Sequence, residues 1–82
     1  MNKKDKLIAD VILTTASDRG AEKSTCPSEI ARMLFAPDWR KHMAEVRAVA
    51  IGLAEQGKVR ITQKGLPVDL GAIKGPIRIV IN

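Results

Sequence analysis

Apolar and polar positions alternate with two different periods along this chain, and the change of period falls near residue 57. Before it, the spacing is helical. Leu7, Ile8, Val11, Ile12 and Thr15 recur every three or four residues and predict a helix over about residues 4–18, stopped by Arg19-Gly20. Pro27 suits a first helical position, because the N–H it lacks would have no intrahelical partner. Glu29, three residues after Cys26, can reach back in the manner of a capping box. Ile30, Ala31 and Leu34 then give the inner face of a second helix over about 27–35, which Pro37 ends. Asp38 reads as the N-cap of a third helix, over about 39–56, closed by Gly57. On its wheel Trp39, Met43, Val46, Val49, Ala50, Leu53 and Ala54 share one half, which makes Trp39 a core residue. Arg40, Lys41, Ala44, Glu45, Arg47, Ala48, Ile51, Gly52 and Glu55 share the other.

After Gly57 the period becomes two. Val59 and Ile61 point one way and Lys58, Arg60 and Thr62 the other, which predicts a strand over about 58–63. Ile77-Arg78-Ile79-Val80-Ile81 alternates in the same way and predicts a second strand over 77–81. Lys64 to Pro76, with Gly65, Pro67, Gly71 and Gly75, is turn-rich and reads as the tip of a wing. Residues 21–25 form a polar connection with room for a one- or two-residue bridge to the sheet. The fold class expected is α+β, mainly helical: a winged helix-turn-helix of three helices followed by a two-stranded antiparallel wing, in one domain of 82 residues.

Charge changes this picture. Residues 1–38 are balanced, and the whole net charge of +5 lies in residues 39–82. A basic helix followed by a basic hairpin favours an anionic partner, with double-stranded DNA first. Arg40, Lys41, Ala44, Arg47 and Ala48 are the candidate contacts on the third helix. The alanines allow close approach, and the arginines can grip phosphates or guanine edges. The plainer reading is a solvated face carrying a Lys41–Glu45 pair at i,i+4 spacing. Lys58, Arg60, Lys64 and Lys74 are the candidates on the wing, where they could hold phosphates or simply discourage edge pairing. Glu29, Arg32 and Arg78 are candidates for an internal ion-pair network, in which Glu29 pairs with one or more of Arg32, Arg40, Arg47 and Arg78.

Other chemistry finds little support. One cysteine makes no internal disulfide, and one histidine with no neighbouring ligand makes no metal site. There is no phosphate-binding glycine loop and no convergent acid–base pair, so neither an enzyme nor a cofactor is expected. No apolar run approaches the ~18 residues of a membrane span. The charged start reads as a helix opening and not as a leader, and a cytoplasmic setting is expected. No dimerisation helix follows the wing, so a monomer or weak homodimer is expected. An acidic protein partner is the alternative, met by the basic face or by an apolar patch of Met33, Ile51 and Val80.

Cys26-Pro27-Ser28-Glu29-Ile30-Ala31-Arg32, Trp39-Arg40, Val46-Arg47, Thr62-Gln63-Lys64-Gly65 and Gly75-Pro76-Ile77-Arg78 resemble a small bacterial family of unknown function. The resemblance spans nearly the entire chain. It implies a winged-helix fold and a cytoplasmic bacterial origin, and it implies no activity.

Overall fold

The computed structural model describes residues 2–82. Helix α1 spans Lys3–Arg19. The Asn2 side chain caps it by accepting from the Asp5 N–H at 2.7 Å. Gly20, at φ +81°, closes it with an N–H shared between the Ala16 and Ser17 carbonyls. Ile8, Ala9, Ile12, Thr15 and Ala16 are buried. Leu7, expected in the stripe, is half exposed, because the buried arc is centred nearer Ile8 and Ile12.

Helix α2 spans Pro27–Phe35. Cys26 makes no side-chain cap, and the expected reach of Glu29 back to it does not form, because that carboxylate is engaged elsewhere. The third helix differs most from expectation. Residues Ala36–His42 form a 3-10 segment, and helix α3 begins only at Met43 and ends at Glu55. The cause is local. Ala36 takes φ +44° before Pro37, which forbids a continuous α-helix. Phe35 then stacks on His42 with centroids 3.8 Å apart, across the whole tighter segment. Arg40 and Lys41 therefore precede the helix that was expected to carry them.

Strands β1 (Val59–Gln63), β2 (Leu66–Pro67) and β3 (Arg78–Ile81) form an antiparallel sheet in the order β2-β1-β3. The two-strand expectation is corrected by β2. Lys64 and Gly65 both have positive φ, 53° and 79°, which turns β1 tightly into β2. Pro67 is tolerated because β2 is an edge strand. Val59 pairs with Ile81, Arg60 with Val80, Ile61 with Ile79 and Thr62 with Arg78. Thr25 adds a bridge to Ile79, with both backbone hydrogen bonds at 2.8 Å.

Helices α1 and α3 pack on one face of the sheet and α2 packs against both, so that Ile8, Ile12, Ile30, Val46, Ile77 and Ile79 are fully buried. The loop over residues 68–77 does not project as a free tip. Val68, Leu70 and Ile73 pack against the core, around a 3-10 turn at Leu70–Ala72. Its Asp69 carboxylate accepts from the Gly71 N–H at 2.9 Å. Val80, on the sheet's outer face, is also buried, so it cannot join Met33 and Ile51 in an exposed apolar patch. No described helix is long and apolar enough to cross a membrane.

Candidate functional site

The outward strip of α3 is nearly uncharged. Ala44, Ala48 and Glu55 are exposed along it, with Ile51 and Gly52 half-buried beside them. Its other charges stand at the edges. At the edge nearest α1, Glu45 pairs with Lys4 at 3.1 Å and with His42 at 3.3 Å. The Lys4 bond, more than the His42 contact, holds the Glu45 carboxyl below its ordinary pKa. The expected Lys41–Glu45 pair is absent. Lys41 lies in the 3-10 segment and approaches Asp38, at 3.9 Å.

At the opposite edge, Arg47 donates from Nη1 to the Gly75 carbonyl at 2.7 Å. Gln63 Nε2 donates to the carbonyls on either side, those of Lys74 and Pro76. Three successive carbonyls are thus held by side chains of α3 and β1. Gly75 needs its positive φ of +81° to present them this way. Arg47 is therefore a strut between helix and loop.

Trp39 sits at the margin of the core and not inside it. Arg32 from α2 and Arg40 from the 3-10 segment lie over its ring, with Cζ at 4.4 and 4.6 Å from the centroid. Stacking of this kind occupies the flat face of a guanidinium and leaves its edge donors free. Arg32, Arg40 and Lys41 thus gather on the stretch leading into α3.

The cations of the sheet gather beyond Arg47. Lys64, Lys74 and Arg78 line one hollow with Gln63 and Pro76. Arg78 also lines the neighbouring hollow, with Arg60, Ser24, Thr62, Gly65 and Glu22. Arg60 donates to the Ala21 carbonyl at 3.3 Å, and Arg78 Nε donates to Ser24 Oγ at 2.8 Å. Lys58 is exposed just after Gly57 and lines neither hollow.

The internal network exists with a different arginine. Glu29 receives both terminal nitrogens of Arg19, one at 2.6 Å, and the Thr25 hydroxyl at 2.7 Å. These bonds, Arg19 first, lower the Glu29 pKa to about 2 and raise that of Arg19. Arg78 acts on Glu29 only through space, and Arg32 lies over Trp39 instead. Among the described residues, the ion pairs within 4 Å involve only Lys4, Arg19, Lys41 and His42 as cations. Arg32, Arg40, Arg47, Arg60, Lys64, Lys74 and Arg78 meet no carboxylate at that range.

The cations singled out on charge pattern therefore fall into two groups, one leading into α3 and one on the sheet beyond Arg47, with Lys58 apart. Sequence reasoning missed Arg19, Ser24 and Gln63. Arg19 was legible only as part of a helix stop, and Ser24 meets Arg78 across 54 positions of chain. A search among curated proteins finds no match to the chain. A family model does match residues 5–82, and the chain belongs to that family, the DUF3253 proteins of unknown function.

Proposed function

We propose that the chain is a winged helix-turn-helix that binds double-stranded DNA without catalysis, as a small cytoplasmic regulator acting alone or as a weak dimer. In this reading α2, the 3-10 segment and α3 form the helix-turn-helix, and α3 enters the major groove. The β1–β2 turn and the loop to β3 serve as the wing. The observation that carries the reading is the exposed pair Ala44 and Ala48, with cations that meet no carboxylate at the start of α3 and along its sheet side. Two methyl side chains keep the helix backbone close to whatever it faces. Arg32 and Arg40 at the start of α3, and Lys64 and Lys74 on its sheet side beyond Arg47, are placed to meet phosphates beside a groove. The anions beside the strip are Asp5, Glu55 and Glu45, the last partly offset by Lys4.

Fluorescence anisotropy with a labelled mixed-sequence duplex tests this. With six phosphate contacts the logarithm of affinity should fall with the logarithm of salt at a slope of about −5. Arg40→Ala with Lys41→Ala should make the slope shallower by about 2, with the fold intact. Absence of binding at low salt, or binding indifferent to salt, would reject the proposal.

A further inference from the structure

The groove-facing reading leaves Arg78 without a role, because its expected partner is taken. Glu29 is occupied by Arg19 and Thr25. Arg78 is left with Ser24, a neutral residue, which it meets through Nε and, at 3.5 Å, through Nη2 to the carbonyl. Nη1 has no partner among the described residues. Arg78 is also the residue shared by the hollow that holds Lys64 and Lys74 and the one that holds Arg60. In the first it stands with Lys64 and Lys74 and no carboxylate residue. In the second it stands with Arg60 and two hydroxyl residues, Ser24 and Thr62, against one acid, Glu22.

The register explains the gathering. Thr62 opposes Arg78 and Arg60 opposes Val80, so all four side chains leave the sheet on the face away from the helices. Val80 supplies an apolar floor. The residue 21–24 connection supplies the rim, held by Arg60 on the Ala21 carbonyl and by Arg78 on Ser24. Both arginines are thereby ordered before any ligand arrives, which lowers the entropy lost on binding. The Lys64-Gly65 turn and the Gln63-held carbonyls of residues 74 and 76 lie together at one end of this face.

We propose that this outer face of the sheet is a second phosphate-binding surface, in which Arg78 and Arg60 bind successive backbone phosphates of one DNA strand. The proposal rests on the duplex-binding reading above and adds a contact that the groove-facing helix does not make. In it, Arg78 grips from the shared wall of the two hollows, Arg60 from the second and Lys74 from the first. Ser24 and Thr62 can donate hydroxyl hydrogen bonds to the same oxygens. Because such contacts do not read bases, they set affinity and register without sequence preference.

The test compares salt dependence of duplex binding in the parent, in Arg60→Ala/Arg78→Ala and in Arg78→Lys. The double variant should bind with a slope shallower by about 2, and Arg78→Lys should keep the parent slope. An unchanged slope in the double variant overturns this inference and leaves groove binding standing. Failure of the parent to bind duplex removes both. Because the double variant could loosen the 21–24 connection, the parent provides an independent readout. On adding duplex, the amide resonances of Ser24, Thr62 and Gly65 should shift together with those of Ala44 and Ala48. Shifts confined to α3 overturn the outer-face site.

Discussion

Arg19 and Arg78 come from the two ends of the chain and both bond to Ser24, yet their surroundings are opposite. Arg19 donates to the Ser24 carbonyl at 3.1 Å and closes a two-pronged pair with Glu29, which the buried Thr25 also bonds. Arg78 donates to the Ser24 hydroxyl and stands on the outer face of the sheet beside Arg60. The first arginine is consumed in fastening α1 to α2. The second keeps its charge facing solvent. Net charge on a sequence counts both alike, and only the positions of carboxylates in the fold separate a strut from a contact. One glutamate divides the set: by binding Arg19 it leaves Arg78 unneutralised.

The largest effect that can break this comparison is on stability. Glu29→Ala removes the acceptor of Thr25, a fully buried residue, and should cost about 2 kcal/mol by urea unfolding. Arg78→Ala should stay within about 0.5 kcal/mol, as exposed substitutions usually do. Equal losses would mean that both arginines are struts. The same pair has a pH signature. The folded Glu29 pKa of about 2 lies below its ordinary value of 4.5, so the unfolded chain takes up the proton first as pH falls. The pair's contribution is therefore complete above pH 4.5 and is lost between pH 4.5 and 2. With the carboxylate about one-third exposed, solvent screening limits that loss to about 1 kcal/mol, and Glu29→Gln should abolish it.

Arg47 sharpens the comparison from a third position, since it is neither neutralised nor free. Its bond to the Gly75 carbonyl predicts that Arg47→Ala costs about 1 kcal/mol. Hydrogen exchange should accelerate at Ala72, whose N–H is bonded to the Asp69 carbonyl in the loop that Arg47 tethers, while the amides of the α3 core turns keep their protection. A variant that leaves exchange in this segment unchanged would return Arg47 to the set of free contacts.

What the sequence made legible follows the range of the interactions. The three helical segments and two of the strands come from local periodicity, and residues such as Ile12, Ile30 and Val59 are buried where the pattern places them. The shift of α3 to Met43 was not legible. Asp38 has the chemistry of an N-cap, but stacking of Phe35 on His42 and the positive φ of Ala36 favour a tighter segment first. Strand β2 was hidden inside a turn-rich run, although Lys64-Gly65 carries the signature of a two-residue hairpin. The division of the arginines was the least legible. It depends on Glu29 reaching one turn of α1, and on strand register bringing Arg78 and Thr62 onto the face over which residue 24 lies. Both are contacts that no local pattern encodes.

The smallest effect concerns the cations that meet no carboxylate yet are not wholly free. Arg32 and Arg40 lie on the two sides of the comparison at once: no acid neutralises them, but the Trp39 ring attracts both. An exposed cation–π contact is worth about 0.5 kcal/mol, so either alanine substitution should shift the unfolding midpoint only slightly. Trp39 is the only tryptophan in the chain, so its emission reports this cluster alone. Arg32→Ala and Arg40→Ala should each change that emission in the free protein, because each uncovers part of the ring to water. On adding duplex, Arg40 has a choice between the ring and a phosphate. A phosphate contact made through the edge donors keeps the stack, and the parent's emission then changes little. A contact that pulls the guanidinium away uncovers the ring and shifts the emission, and the shift disappears in Arg40→Ala. The geometry favours the first outcome, since the ring occupies only the flat face of the guanidinium. A large duplex-induced shift in the parent, absent from Arg40→Ala, would show that Trp39 holds Arg40 in reserve and does not orient it.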